Sequence, residues 1–263
     1  MIDSHCHLNF KALKDNISNI ISNAKKNNIS SILTINTDPN EFLDHYKLIQ
    51  NYKSVFISYG LHPDNVSSKK LITKEEIKKN LSNDKVIGIG ETGLDFFHTK
   101  ENVKEQIQVF EEHIEASIDT NIPLIIHQRN SEKEIIEILN RYLKSHNLRI
   151  VFHCFTGSNI LKKFCIDNNF YISLSGIITF KNALELRDNI KDVPLSSILI
   201  ETDSPFLSPE PFRGKLNEPS YIKYIIDYLS GFFNISKDVI IKETDDNFYK
   251  LFSKAIRYNE ISE

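Results

Sequence analysis

Ile2-Asp3-Ser4-His5-Cys6-His7-Leu8 begins as a buried strand would and ends in two imidazoles spaced by two. The same form returns along the chain: Ser31–Ile35, Val55–Leu61, Val86–Glu91, Pro123–His127, Arg149–Phe155, Tyr171–Ser175 and Ile198–Asp203. With Ile2–Leu8 these are eight candidate strands. Several are almost wholly apolar until their last residues, as strands covered on both faces are. Helical patterns separate them. Asp38-Pro39-Asn40-Glu41 reads as a helix start, and Ser131-Glu132-Lys133-Glu134 reads as a capping box. Val103, Ile107, Phe110, Ile114 and Ile118 step by three or four, which is one helix face. Tyr221–Leu229 and Asp238–Phe252 are helical in pattern beyond the last strand. Eight strand–helix alternations predict an α/β protein, a (β/α)8 TIM barrel occupying residues 1–263 as one domain. A doubly wound open sheet is the competing arrangement. The spacing favours the barrel: 198 residues separate His5 from Asp203, about 28 per step.

Composition bounds the function. Apolar residues at 40% and charged residues at 25% exclude disordered, collagenous and coiled-coil readings. A net charge of −3 argues against a broad basic face for nucleic acid. It does not exclude a small site whose positive charge comes from metal ions. Three cysteines, none in a C-x-x-C pair, rule out a disulfide framework. The first residues do not read as a signal peptide, and no apolar run approaches a membrane span. The expectation is a cytoplasmic protein with no membrane contact and no evident obligate protein partner.

The informative residues lie where each run stops being apolar. These are His5 and His7, His62, Glu91, His127, His153 and Asp203. In a barrel these ends converge on one face, where the catalytic groups of the fold sit. His5 and His7 point to one side of a strand, so Cys6 faces the helices, as Cys154 beside His153 should. Taken singly, each imidazole has an ordinary reading as a hydrogen-bonded core residue, and each carboxylate as a lysine partner. Together they would be costly to bury unpaired, and two divalent cations would satisfy them all. Imidazole and carboxylate donors without thiolate suit zinc, manganese and related ions. Glu91 lies between the histidine groups and could bridge both ions. Two such ions generate hydroxide at neutral pH and can hold the attacking and leaving oxygens of a displacement. Asp203 would bind one ion, orient the hydroxide and take its proton. The excess positive charge would attract an anionic substrate such as a phosphodiester.

Gly88-x-Gly90-x-x-Gly93 matches a dinucleotide fingerprint, but no helix opens within it, so it reads as a tight glycine turn at a strand end. There is no nucleophile elbow and no phosphate-binding P-loop. Arg129, two residues after His127, and Arg213, after the last strand, are candidate phosphate contacts. His62 is a candidate to hold a phosphate or protonate a leaving oxygen.

The motifs Asp3-Ser4-His5-Cys6-His7-Leu8, Gly60-Leu61-His62-Pro63 and Gly88-Ile89-Gly90-Glu91-Thr92-Gly93-Leu94-Asp95 resemble those of the TatD-type metal-dependent deoxyribonucleases. So do Ile126-His127-Gln128-Arg129, His153-Cys154-Phe155-Thr156-Gly157, Glu201-Thr202-Asp203-Ser204-Pro205 and Asn217-Glu218-Pro219. The resemblance spans essentially the whole chain. It implies a TIM barrel of the metallo-dependent hydrolase superfamily. It implies one metal held by His5, His7, Glu91 and Asp203, and a second by Glu91, His127 and His153. It also implies magnesium, manganese or zinc as activator and DNA as substrate, often digested 3′ to 5′ on single strands. Leu216 stands where many relatives carry a basic residue, which removes one phosphate contact. The alternative activity is metal-dependent amide or ester hydrolysis, including deacylation of aminoacylated RNA such as D-aminoacyl-tRNA. A bridging glutamate in place of a carboxylated lysine favours the nuclease.

Overall fold

The eight apolar runs form eight parallel strands hydrogen-bonded in chain order, seen in a computed structural model that describes residues 1–98, 101–256 and 258. They are β1 (Ile2–Cys6), β2 (Ser31–Thr34), β3 (Val55–Tyr59), β4 (Val86–Asp95), β5 (Leu124–Arg129), β6 (Ile150–Phe152), β7 (Tyr171–Leu174) and β8 (Ile198–Ile200). The helices between them are α1 (Lys11–Lys14), α2 (Ile17–Lys26), α3 (Phe42–Ile49), α4 (Lys74–Asn80), α5 (Val103–Thr120), α6 (Glu132–Leu143), α7 (Asn159–Asp167) and α8 (Leu184–Ile190). Two more, α9 (Ile222–Phe233) and α10 (Lys237–Leu251), follow β8. Among the described residues no helix is long and apolar enough to cross a membrane.

The sheet closes on itself into a nearly complete (β/α)8 barrel. At the seam, Asp203 N donates to His5 O at 2.9 Å, and His7 N donates to Ser204 O at 2.7 Å. Asp3 also crosses the seam. Its carboxylate accepts from Thr202 N at 2.9 Å and from Thr202 Oγ1 at 2.6 Å. Thus the segment just past β8, which carries Asp203, is fastened directly to the strand that carries His5 and His7.

Two apolar clusters correspond to the two faces of the sheet. Ile57, Ile89, Ile126, Phe152 and Leu174 pack against the helices. Ile2, Leu33, Phe56, Ile87, Ile125, Val151 and Leu199 fill the interior, where Phe248 of α10 and the following Phe252 complete the packing. That interior plug occupies the end of the barrel where the strands begin, and it leaves the opposite mouth to polar groups.

Bulges in β1 and β4 decide which way the polar groups turn. β1 pairs Asp3 with Ile32 and then Cys6 with Thr34, using three residues against two. Side chains alternate with period two, so one extra residue exchanges the faces of everything after it. Ile2 points inward; unbroken alternation would send Cys6 inward and both histidines out. With the bulge, Cys6 packs in the helix layer. β4 repeats the device twice, between Val86 and Gly88 opposite Ile57 and Ser58 of β3, and between Ile89 and Thr92 opposite Leu124 and Ile126 of β5. Ile89 packs outward, and the second extra residue turns Glu91 inward.

The glycine motif is therefore not a turn, contrary to expectation, because β4 runs through it to Asp95. Gly90 has φ +134°, and a Cβ there would lie 2.5 Å from Ile125 O. A Cβ on Gly60 would strike Gly90 Cα at the same distance. Close approach of β3 and β5 to β4 is what requires glycine. The capping box at Ser131 is not formed either. Its hydroxyl donates to Leu94 O at 2.7 Å, tying α6 to the far end of β4.

Candidate metal centre

The strand ends bring His5, His7, His62, Glu91, His127, His153 and Asp203 into one cluster at the polar mouth. His5, Glu91 and Asp203 come from three different strand ends, yet His5 Nε2 lies 3.5 Å from Glu91 Oε2 and 3.7 Å from Asp203 Oδ1. His7 Nε2 is 3.3 Å from Asp203 Oδ1. On the other oxygen of Glu91, Oε1 is 2.6 Å from His153 Nε2 and 3.1 Å from His127 Nδ1. Glu91 thus turns Oε2 toward His5, His7 and Asp203, and Oε1 toward His127 and His153. The donor atoms fall into triads of His5, His7 and Asp203; His5, Glu91 and His153; and His62, Glu91 and His127.

The residues fit divalent cations. His5 is buried, stacks in parallel on His153 at 4.0 Å, and has no hydrogen-bond partner for either ring nitrogen. His7 Nδ1 is likewise buried and unpartnered. Leaving such atoms unsatisfied is costly unless something binds them. The donors are imidazole nitrogens and carboxylate oxygens, which suit magnesium, manganese or zinc.

The electrostatics show what competes with a cation. Burial alone would raise the Glu91 carboxyl, but His153, His62 and His127 hold it well below the usual range. Asp203 is lowered in the same way, against burial, chiefly by His7. Burial lowers His5, with His153 adding to the effect. His153 is raised well above the ordinary value because Glu91 and Glu201 outweigh its burial. His7 and His127 are raised by Asp203 and by Asp95 with Glu91, again against burial. A cation bound here would compete with protons for the same nitrogens, so binding is coupled to proton release.

His62 sits closer to the cluster than a loop histidine would. Its Nε2 is 3.3 Å from Glu91 Oε1, and its ring packs on His127 at 4.5 Å. Its Nδ1 accepts from Asp64 N at 3.1 Å, which puts the neutral ring's proton on Nε2. In that tautomer His62 is a donor toward the cluster and not a cation ligand. Arg129 lies at the rim, with its guanidinium 4.0 Å over the Phe97 ring and Nη1 3.4 Å from His98 Nε2. Arg213 is not brought to the cluster. Its guanidinium lies 3.5 Å over the Phe180 ring and makes no ion pair with the site.

Three buried carboxylates were missed by sequence reasoning. Asp95 Oδ2 takes His127 Nε2 at 3.0 Å and His98 Nδ1 at 2.9 Å, leaving His127 Nδ1 facing Glu91. Glu201 accepts from Cys154 N at 2.8 Å and from Ser173 Oγ, and lies 3.6 Å from His153 Nδ1. Asp3 holds the seam, and burial pushes its carboxyl up to about 8 despite its Thr202 bonds. The available signal was the strand period: Asp95 is four residues beyond Glu91, on the same face. Cys154 also departs from expectation. It adopts φ +45°, and its Sγ lies 3.2 Å from Ser175 Oγ instead of packing among the helices.

Comparison with known proteins agrees with this architecture. The profile of the family described as TatD related DNase matches residues 2–253. An uncharacterized metal-dependent hydrolase of Buchnera aphidicola subsp. Acyrthosiphon pisum is 40% identical over 264 residues, covering 96% of this chain and 99% of its own. The uncharacterized metal-dependent hydrolase YabD of Bacillus subtilis is 33% identical, with 96% and 98% covered. The crystal structure of YjjV, a TatD homolog from Escherichia coli K12, superposes with a TM-score of 0.87 at 27% identity, covering 96% of this chain and 98% of that one. A barrel with a polar, cation-fitted mouth and relatives matched from end to end leads to one assignment: the chain belongs to the TatD family of metal-dependent hydrolases.

Proposed function

We propose that the protein is a divalent-metal-dependent deoxyribonuclease that hydrolyses DNA phosphodiester bonds, acting as a 3′–5′ exonuclease on single strands. The observation that carries this reading is the position of Glu91, with one oxygen toward His5, His7 and Asp203 and the other toward His127 and His153. A carboxylate so placed supports a pair of cations, one held by His5, His7, Glu91 and Asp203, the other by Glu91, His127 and His153. When bound, such a pair supplies hydroxide at neutral pH and positive charge opposite a phosphate. Asp203, which the cation it shares with His7 would hold ionised, takes the proton of the attacking water. His62 presents Nε2–H to a phosphate oxygen or the leaving oxygen. Arg129 contacts a phosphate from the rim, whereas Arg213 would have to leave the Phe180 ring to do so. The family description and the glutamate bridge favour a phosphodiester over an amide or carboxylic ester. Three unpaired thiols support action in the reducing cytoplasm.

Purified protein incubated with Mn²⁺ and end-labelled single-stranded DNA should release nucleotides, and chelation should stop the reaction. Deacylation of aminoacylated RNA, or amide turnover, with no nucleotide released would overturn the proposal.

A further inference from the structure

The chain has 17 phenylalanines, and only Phe10, Phe97 and Phe206 are exposed, at 39%, 57% and 47%. All three stand at the mouth of the barrel. Phe10 and Phe206 meet edge to face at 5.2 Å, and each lies against the His7 ring, at 5.4 and 6.2 Å. Phe97 carries the Arg129 guanidinium over its face and meets the His98 ring at 5.0 Å. His98 is bonded to Asp95, which is bonded to His127. The first group therefore borders the cluster at the β8–β1 seam, and the second borders it at β4 and β5, across the barrel.

We propose that these are two stacking platforms for unpaired nucleobases, gripping the nucleotides on either side of the bond that is cut. The inference rests on the nuclease reading above and names how that site holds its substrate. Exposed aromatic rings gathered at one site mark a binding surface. Bases stack on aromatic faces whatever their sequence, and a guanidinium lying on a ring extends the flat surface and adds charge for the phosphate. The net charge of −3 argues against a broad basic surface that would hold a backbone electrostatically, which favours a grip local to the mouth. Rings on both sides of the cluster place a phosphate between two stacked bases. A paired duplex hides its base faces and cannot use these platforms.

The test uses the metal-loaded protein and a thymidine octamer, compared with octamers carrying a base-free sugar on one or the other side of the cut bond. Removing a base should lower kcat/KM by roughly five- to a hundredfold, mainly through KM, the range expected for one base stacked on one ring. Phe97→Ala should abolish the discrimination on one side, and the Phe10→Ala/Phe206→Ala pair should abolish it on the other. Phe97→Trp should retain it. Anisotropy of a labelled octamer in chelator should show the same losses in Kd. Base-free and intact octamers cut equally by the unaltered protein, or discrimination surviving in the alanine variants, would overturn the platforms while leaving the nuclease standing. Failure of the unaltered protein to cut any octamer would instead remove the nuclease reading, and the platforms with it.

Discussion

Asp95→Asn should weaken one cation site and spare the other. Asp95 is fully buried. Oδ1 accepts from the backbone N–H groups of Phe97 and His98 at 2.8 and 2.9 Å. Oδ2 accepts from His127 Nε2 at 3.0 Å, so His127 Nδ1 is left without a proton, toward Glu91. An asparagine offers only one oxygen. If that oxygen keeps the two backbone donors, its amide N–H faces His127 Nε2, and the imidazole must move its proton to Nδ1. If the amide turns over, two part-buried backbone donors lose their acceptor. Either arrangement is incompatible with a well-set ligand. Losing an outer partner of this kind weakens metal binding by about 10- to 100-fold, or roughly 1.4–2.7 kcal/mol. Asp95 touches none of His5, His7 or Asp203, so their cation should be unaffected. Manganese titration of chelator-stripped protein, fitted to two sites, measures both constants. Two unchanged constants, or two that fall together, would refute the claim that Asp95 sets the His127 tautomer.

Glu91→Ala should abolish hydrolysis and lower bound metal below two equivalents, read by elemental analysis; full turnover would refute its bridging role. Gly90→Ala should cost about 2 kcal/mol or more through its left-handed φ and the clash with Ile125 O, lowering Tm by several degrees. An unchanged melting curve would contradict the reason given for that glycine. Away from the site, burial depresses His113 to about 4 and His45 to about 3. Both rings fold neutral and must charge on unfolding. Their contribution is fully present above pH 6.5 and is lost as pH falls toward 4, each approaching about 3 kcal/mol there. Denaturant unfolding in chelator should show that decline; a flat profile from pH 6.5 to 4 would contradict it.

The barrel was legible because its signal is periodic: eight apolar runs at regular spacing, each ending in a polar group. The convergence of His5, Glu91, His127, His153 and Asp203 followed from that regularity alone. The bulges were not legible. One extra residue in β1 reverses the facing of His5 and His7 relative to Ile2, and β4 slips twice, so that Glu91 faces opposite to Ile89, and nothing in residue type marks where alternation slips. The glycines of β4 misled for a related reason. Gly90 and Gly93 resemble a turn, but neighbouring backbone forces their choice, so Asp95 fell outside the expected strand. Glu201 and Asp3 lay within the strand-end motifs but were given no role, since nothing in sequence marks a carboxylate that orients an imidazole or fastens a seam. The exposure of three phenylalanines among seventeen belongs to tertiary structure alone.

The most direct measurement is anomalous scattering from crystals grown with manganese. The account predicts two peaks, one on each side of the Glu91 carboxylate, the first among His5, His7 and Asp203 and the second between His127 and His153. A single peak away from Glu91, or none at the mouth, would contradict it.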